Sequence, residues 1–252
     1  MGNWRRTWAW GLITTLWCLF SVGIASIAIP FASIFVGRKR AFLAVARLWV
    51  RIMAGMAGIA FSAEGWEALP EAIREGRQPV VFMSNHESHL DPSFIFATIG
   101  VHAVFIAKRE LAWVPLLGQL IWFMGFIFIN RQDRSKAIES LRSAATRIRN
   151  GQCVIIFPEG TRTTDGQLRP FKKGGFALAM DAGVPIVPLA ARGGFQLLPK
   201  GSPRMFPGRY KVIYGEPVHP ADYPTREAIM EEVRARIQRL VERADTLPVA
   251  AD

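Results

Sequence analysis

A long uncharged run near the N-terminus limits what this chain can fold into. No charged side chain occurs from Thr7 to Gly37, and basic residues flank the run as Arg5-Arg6 and Arg38-Lys39-Arg40. Its Leu, Ile, Val and Phe residues favour bilayer insertion by roughly 4 to 8 kcal/mol, as an upper bound. The apolar region is about twice as long as the core of a cleaved signal peptide. The run therefore predicts a segment that associates with a membrane.

Two arrangements of this segment fit the sequence. A single transmembrane helix would place basic clusters on both sides of the bilayer, although Lys and Arg prefer the cytoplasmic side. A helical hairpin in one leaflet would keep all basic residues on the cytosolic face, with Pro30 breaking the run and a second apolar patch from Ile52 to Ala60. The hairpin fits better. We predict a membrane-associating segment over residues 1–63 and a catalytic domain over residues 64–252, on the cytosolic face of the inner or plasma membrane.

From Glu64 onward, short apolar runs alternate with amphipathic stretches, which is typical of an α/β layer architecture. Helices are predicted over Ser135–Arg149 and after Thr225. The predicted strands are Val80–Met83, Ala103–Ala107, Gly125–Ile129, Cys153–Phe157, Pro185–Ala190 and Tyr210–Tyr214. The run from Leu111 to Asn130 is also uncharged, but it contains Pro115 and glycines. We expect Leu111–Phe126 to form core or an apolar wall near a lipid tail.

Polar clusters follow three of the predicted strands. They are Asn85-His86-Glu87-Ser88-His89-Leu90-Asp91, Asn130-Arg131 and Pro158-Glu159-Gly160-Thr161-Arg162. In an open α/β sheet, ligands bind beyond the carboxyl ends of the strands. The clusters can therefore converge on one site if their strands are parallel neighbours.

These residue types suit proton transfer and anion binding. A histidine held by a carboxylate has a fixed tautomer and can deprotonate a hydroxyl, which is the reading for His86 and Asp91. The alternative is a helix-capping Asp91 before Pro92 and a polar loop histidine. Arginines after neighbouring strands can hold a phosphate or carboxylate. Lys172 and Lys173 either add charge to that anion site or belong to a solvated basic loop.

Four ordered motifs give the chain a specific resemblance to the glycerophospholipid acyltransferase family. Asn85-His86-x4-Asp91 is similar to the first family motif and Phe128-Ile129-Asn130-Arg131 to the second, with Asn130 where another polar residue is often seen. Phe157-Pro158-Glu159-Gly160-Thr161-Arg162 matches the third motif, and Val184–Leu189 matches the fourth. The resemblance implies an α/β acyltransferase fold, with a mixed sheet flanked by helices.

The resemblance also implies a reaction. A fatty acyl group would pass from an acyl thioester, carried by coenzyme A or acyl carrier protein, to the sn-2 hydroxyl of lysophosphatidic acid, giving phosphatidic acid. His86 would act as the general base, since an unperturbed imidazole has a pKa of about 6.5, and Asp91 would orient it. The expected substrate-binding residues are Arg131, Glu159, Gly160, Thr161, Arg162 and Lys172. No cofactor or metal is expected.

Charge and composition bear on the partners. The net charge of +11 suits anionic lipid or an acidic carrier, whereas the chain has no recognisable nucleic-acid-binding module. Cys18 and Cys153 lie in apolar runs without metal-ligand spacing. Two alternatives remain open: transfer to another acceptor, such as a lyso-ornithine lipid, another lysophospholipid or glycerol-3-phosphate, and a non-enzymatic membrane protein that binds anionic lipid.

Overall fold

The structure, a computed structural model, describes residues 7–130 and 134–246 except for the side chains of residues 134 and 136–138. Its strands are β1 (Ile59–Glu64), β2 (Val81–Ser84), β3 (Ala103–Lys108), β4 (Ile127–Ile129), β5 (Cys153–Ile156), β6 (Ile186–Arg192) and β7 (Gly208–Tyr214). Its helices are α1 (Trp8–Val36), α2 (Arg38–Ala57), α3 (Glu71–Arg74), α4 (Asp91–Thr98), α5 (Leu117–Phe123), α6 (Arg134–Arg149), α7 (Lys173–Ala182), α8 (Gly194–Leu197) and α9 (Arg226–Thr246). Short 3-10 helices cover Arg109–Trp113 and Pro220–Asp222.

The strands form one sheet in the order β1-β7-β6-β2-β5-β3-β4. Neighbouring strands are parallel except β6 and β7, which are antiparallel. Every residue of β2 and β5 is buried, as expected for apolar strands covered on both faces. The predicted α/β fold with a mixed sheet flanked by helices is confirmed.

Alternate residues of the central strands β2, β3 and β5 pack into two separate cores. Phe82 of β2 joins side chains from α1, α2 and α4 on one face, whereas Val81 and Met83 join side chains from α6, α7 and α9 on the other. This follows from the period of two along a strand. The helix predicted after Thr225 is α9, and the Thr225 hydroxyl accepts a hydrogen bond from the Ala228 N–H at 3.2 Å. The two cores leave the strand ends free to carry polar groups.

The N-terminal segment forms a helical hairpin, but its turn is not where the sequence placed it. The prediction that Pro30 breaks the run is wrong, because α1 continues through Pro30 to Val36. A proline removes one helical hydrogen bond without necessarily ending the helix. The chain reverses at Gly37, whose φ of 80° is one that only glycine adopts readily. Hydrogen bonds from Trp49 Nε1 to Ser21 Oγ at 2.7 Å, and from Trp10 Nε1 to the Met56 carbonyl at 3.0 Å, join the two helices.

The segment after this hairpin contributes a strand that the sequence did not reveal. Ile59 to Glu64 form β1, which pairs in parallel with β7 at one end of the sheet. The predicted boundary after residue 63 therefore falls inside β1. Four of its six residues are buried or partly buried, whereas Ala60 and Ala63 are exposed. Buried apolar and exposed polar residues do not alternate along β1, so the sequence gives only a weak signal for a strand. The division into two domains stays a prediction.

The uncharged stretch before β4 has both a buried and an exposed side. Leu120, Ile121 and Met124 are buried, as expected for core. Trp113 and Trp122 are 79% and 74% exposed, so they extend the exposed apolar surface of α1. The two surfaces adjoin, because Leu116 lies beside Gly23 of α1.

Candidate active site

Two of the three predicted polar clusters lie together at one edge of the sheet. β2 and β5 are parallel neighbours, with Val81 opposite Val154, so the loops after them start side by side. β4 is the last strand, and β3 separates it from β5. Asn130, which follows β4 directly, therefore lies farther along the same edge. The predicted phosphate ligand Arg131 lies outside the described residues.

The imidazole of His86 is held on two sides. Its Nδ1 lies 2.7 Å from Asp91 Oδ2. Its ring stacks on Phe157, with centroids 3.9 Å apart and planes 12° from parallel. Because a carboxylate only accepts hydrogen bonds, Nδ1 carries the proton in this contact, and in the neutral imidazole Nε2 is then the nitrogen with a lone pair. The side chain is 15% exposed, so the ring is fixed without being sealed from substrate.

Asp91 is fully buried and fully hydrogen-bonded. Besides the His86 ring, its Oδ2 accepts the backbone N–H groups of Glu87 at 2.7 Å and Ser88 at 2.8 Å. Oδ1 accepts the Tyr210 hydroxyl at 2.7 Å. The alternative of a helix-capping Asp91 is wrong, because Leu90 occupies the N-cap of α4 and Asp91 bonds the residues before the helix. A buried carboxylate with four donors is well suited to orient an imidazole.

Asn85 ties this loop to β6. Its Nδ2 donates to the Ala191 carbonyl, and its Oδ1 accepts the Ala191 N–H, both at 2.8 Å. A side chain that copies a strand's hydrogen-bonding pattern in this way extends the sheet by one residue. The start of the His86 loop is thereby fixed to the neighbouring strand.

Glu159 joins the first cluster to the third. Its Oε1 accepts the His86 N–H at 2.7 Å, and its Oε2 accepts the Arg169 N–H at 3.0 Å. The His86 carbonyl in turn accepts the Thr163 N–H at 2.9 Å. Burial raises the pKa of Glu159 to about 7, with the backbone donors opposing that rise. Glu159 is 3% exposed, so its observed contacts position His86, and its predicted contact with substrate stays a prediction.

Two cationic side chains of the third motif and the loop after it, Arg162 and Lys172, belong to the same region as Asp91 and Gly160. Arg162 is partly buried; burial lowers its pKa, and the charge of Asp91 opposes that change. Lys172 crosses Gly160, where a Cβ would lie 2.9 Å from the Lys172 Nζ. Gly160 therefore leaves room for the amine, while Thr161 is exposed. Within the described parts of the chain, neither Arg162 nor Lys172 forms an ion pair with a carboxylate, so both are available to an anion.

Sequence reasoning missed the support for the His86 loop. Glu87 is 1% exposed; it accepts Arg192 Nη1 at 2.8 Å and the N–H groups of Gly193 and Phe195 at 3.0 and 3.1 Å. Burial, followed by the charge of Asp91, raises the pKa of Glu87 to about 7. These contacts clamp the loop onto the end of β6. The Glu87 carboxylate, four residues after the end of the apolar run at Met83, carried no signal of its own in the sequence, because its partners lie over a hundred residues away.

Comparisons with known proteins agree with this geometry. A model of the Acyltransferase family matches residues 61–192. The 1-acyl-sn-glycerol-3-phosphate acyltransferase alpha of Ovis aries is 35% identical over 225 residues, covering 89% of this chain and 74% of that protein. The chloroplastic 1-acyl-sn-glycerol-3-phosphate acyltransferase LPAT1 of Arabidopsis thaliana is 31% identical over 220 residues, covering 86% of this chain and 59% of that protein. This chain thus spans less than two thirds of the chloroplast relative.

A solved structure shows the same fold. The 1-acyl-sn-glycerophosphate (LPA) acyltransferase PlsC from Thermotoga maritima aligns with a TM-score of 0.81 and 26% identity, covering 95% of this chain and 98% of that one. The matched range 61–192 contains His86, Asp91 and the third motif. The chain belongs to the acyltransferase family, and the resemblance found in its four motifs is confirmed.

Proposed function

We propose that this chain transfers a fatty acyl group from an acyl thioester to the sn-2 hydroxyl of 1-acyl-glycerol-3-phosphate, giving phosphatidic acid. The observation that carries the proposal is the 2.7 Å contact between His86 Nδ1 and Asp91 Oδ2. The charge of Asp91 acts on Arg162, and Lys172 lies against Gly160 of the third motif. The names of the relatives support the same acceptor. A base next to an anion site suits an acceptor that carries both a hydroxyl and a phosphate.

His86 acts as the general base in this proposal. Its Nε2 takes the proton of the sn-2 hydroxyl while that oxygen attacks the thioester carbonyl. The tetrahedral intermediate then expels the thiolate as the C–S bond breaks, and the imidazolium returns the proton to the sulfur. Asp91 stabilises the imidazolium without taking its proton. Neither a covalent acyl-enzyme nor a resident cofactor enters this scheme.

Arg162 and Lys172 hold the phosphate of the acceptor. A guanidinium can bind two phosphate oxygens in a fork, and an ammonium adds a point charge. The support is that the charge of Asp91 acts on Arg162, that Lys172 lies against Gly160, and that neither side chain has an ion-pair partner among the described residues. Arg131, Gly160 and Thr161 complete the acceptor site in this proposal.

In this proposal the site lies at a lipid surface, and the exposed apolar face of α1 supports that location. By length and composition, α1 could cross a membrane, yet it is antiparallel to α2 and only 17% of its most apolar window is buried. We place the hairpin in one leaflet on the cytosolic side, with Trp113 and Trp122 beside it. The acceptor and product are lipids, whereas a coenzyme A or acyl carrier protein donor is soluble. The net charge of +11 favours anionic lipid and an acidic carrier.

An acceptor panel tests the proposal. Thiol release from acyl-coenzyme A and from acyl carrier protein is measured in liposomes with lysophosphatidic acid, a lyso-ornithine lipid, another lysophospholipid and glycerol-3-phosphate. We expect release to require lysophosphatidic acid and to be much slower with the other acceptors. Faster release with another acceptor would reassign the substrate. No release with any pair would contradict acyl transfer and favour a lipid-binding protein.

A further inference from the structure

The two carboxylate oxygens of Asp91 have different hydrogen-bond partners. Oδ2 contacts the His86 ring and two backbone N–H groups, whereas Oδ1 contacts the Tyr210 hydroxyl at 2.7 Å. A Cβ on Gly194 would lie 2.7 Å from Oδ1, so backbone closes that side of the carboxylate. The donor that the described residues supply to Oδ1 is therefore the phenol of Tyr210. Without it, a buried charged oxygen would lose its partner, which is a costly arrangement.

The phenol is held rigidly. Tyr210 lies on β7 and is 0% exposed. Its ring stacks on Phe94, with centroids 4.1 Å apart and planes 17° from parallel. Phe94 belongs to α4, the helix that begins with Asp91. Tyr210 thus contacts the first turn of α4 through both its ring and its hydroxyl. The hydrogen bond to Oδ1 fixes the rotation of the Asp91 carboxylate about its side chain.

The hydroxyl remains a donor at any working pH. Burial, followed by the charge of Asp91, raises the pKa of Tyr210 well above its ordinary value. Hydrogen bonding to Oδ1 draws negative charge toward that oxygen and away from Oδ2. The strength with which Asp91 holds an imidazolium therefore depends on Tyr210, although Tyr210 does not touch His86 in any contact described.

We infer that Tyr210 is a positioning residue for acyl transfer, acting on the general base through Asp91. The inference rests on the proposed function and adds a third member to the His86–Asp91 pair. Tyr210 lies beyond residues 61–192, the part of the chain that the family model matches.

The chain contains a matched control. Tyr214 lies on the same strand, is 4% exposed, and its hydroxyl is hydrogen-bonded to Thr98 Oγ1 at 2.9 Å. Its ring contacts Trp66 and Phe82 rather than the His86 loop. Tyr210→Phe and Tyr214→Phe each remove one buried, hydrogen-bonded hydroxyl and keep the ring. Both variants should lose similar thermal stability, whereas only one should alter the chemistry.

The experiment compares wild-type protein, His86→Ala, Tyr210→Phe and Tyr214→Phe by thiol release over a range of pH, with lysophosphatidic acid in liposomes. For Tyr210→Phe we expect kcat to fall about tenfold with KM changed less than about twofold. The acid limb of its kcat/KM profile should move to higher pH, because Oδ2 then carries more charge. Tyr214→Phe should keep the wild-type kcat and acid limb.

A second variant keeps the hydroxyl and the fold. Site-specific 3-fluorotyrosine at position 210 makes the phenol a stronger donor, so the acid limb should move to lower pH, opposite to the shift in Tyr210→Phe. This arm remains informative if Tyr210→Phe does not fold.

The outcomes separate this inference from the proposed function. An active wild-type protein and an inactive His86→Ala, with Tyr210→Phe and Tyr214→Phe alike in kcat and acid limb, would overturn the inference alone. Unchanged acid limbs in both Tyr210 variants would also overturn it. Absence of transfer by the wild-type protein would overturn the proposed function and this inference with it.

Discussion

The hairpin and the His86 loop show opposite patterns of burial. On α1, Leu19, Phe20 and Ile34 are 68%, 64% and 75% exposed. In the loop and beside it, Glu87, Asp91 and Glu159 are at most 3% exposed. A soluble protein usually buries the first kind of side chain and exposes the second. The two regions therefore depart from that rule in opposite directions.

The difference shows which of the two regions finds its contact partners within the protein. Every carboxylate oxygen of Glu87, Asp91 and Glu159 accepts a hydrogen bond from another part of the protein. Within residues 7–130 and 134–246, no segment covers the exposed side chains of α1 in this way, and an apolar surface of this extent marks an interaction site. The polar groups of the loop find their partners within the protein, whereas the apolar face of α1 is suited to the lipid surface proposed above.

Removing the charge of Asp91, in the hydrogen-bonded His86 loop, should have the largest effect on activity. Asp91→Asn keeps the size of the side chain but replaces one acceptor oxygen with an amide that donates. We expect kcat to fall by about 10³- to 10⁴-fold, because the amide cannot hold the His86 tautomer or stabilise its imidazolium. Asp181→Asn, at an exposed position near the end of α7, serves as the control and should keep its activity. Steady-state thiol release checks both, and a loss below tenfold would contradict the role of Asp91.

Removing an unpaired cation at the same edge should have a smaller effect. Arg162→Met should raise the KM for lysophosphatidic acid by about 10- to 100-fold, the worth of hydrogen bonds to a charged group. Arg162→Lys should recover part of that loss, since charge remains without the fork. Arg226→Met, an exposed site at the start of α9, is the control. An unchanged KM in Arg162→Met would place the phosphate elsewhere.

Replacing exposed apolar side chains of α1 with polar ones tests whether this helix binds lipid. Leu19→Asn combined with Phe20→Asn should weaken binding to phosphatidylglycerol-containing vesicles by about tenfold or more, since each side chain stabilises contact by at most about 1.5–3 kcal/mol. The melting temperature should barely change, because both side chains are exposed. Ile29→Asn, at a 2% exposed position, should instead lower it. Vesicle flotation measures lipid binding, and thermal unfolding measures stability. Unaltered flotation would contradict the proposed contact between α1 and lipid.

The smallest effect at neutral pH concerns His102, a buried polar group at the opposite edge of the sheet. Neither ring nitrogen has a hydrogen-bond partner in the described structure. Burial, followed by the charges of Lys39 and Arg38, lowers its pKa from 6.5 to about 4. The stability that depends on neutral His102 is present above pH 6.5 and is lost as the pH falls through 4.

His102→Leu should therefore make the folded protein less sensitive to acid. Between pH 6.5 and pH 4, we expect the wild-type free energy of unfolding to fall by at most about 3 kcal/mol more than that of His102→Leu. Activity at pH 7 should be unchanged. Denaturant titrations at the two pH values measure the difference, and parallel pH dependence in both proteins would contradict the assignment.

Local signals in the sequence predicted the strands and the motifs, and distant contacts explain what it did not predict. β2 and β5 are continuous apolar runs, so their existence and burial could be read directly. β1 was missed because it follows a hydrophobic segment and pairs with β7 about 150 residues later, Ile59 with Gly208. Pro30 was misread because a proline weakens a helix without fixing where it ends.

The site shows the same limit. His86 and Asp91 are close in sequence, so one loop can bring them together. Tyr210 reaches Asp91 across 119 positions and lies in an ordinary apolar strand, so neither spacing nor composition marked it. The stacking of Phe157 on His86 was equally hidden, although both belong to motifs that the sequence revealed. Chemistry-bearing pairs were predictable where they were local, and their supports were not.

The most direct measurement is the rate of phosphatidic acid formation in liposomes by wild-type protein, His86→Ala and His219→Ala. His219 is exposed and lies beside Pro185 at the other edge of the sheet, so it controls for the loss of a histidine. With lysophosphatidic acid and the active donor, we expect the wild-type and His219→Ala rates to agree within about twofold and His86→Ala to lose at least about 10³-fold. A His86→Ala protein with the wild-type rate would contradict the central claim that His86 is the base for acyl transfer.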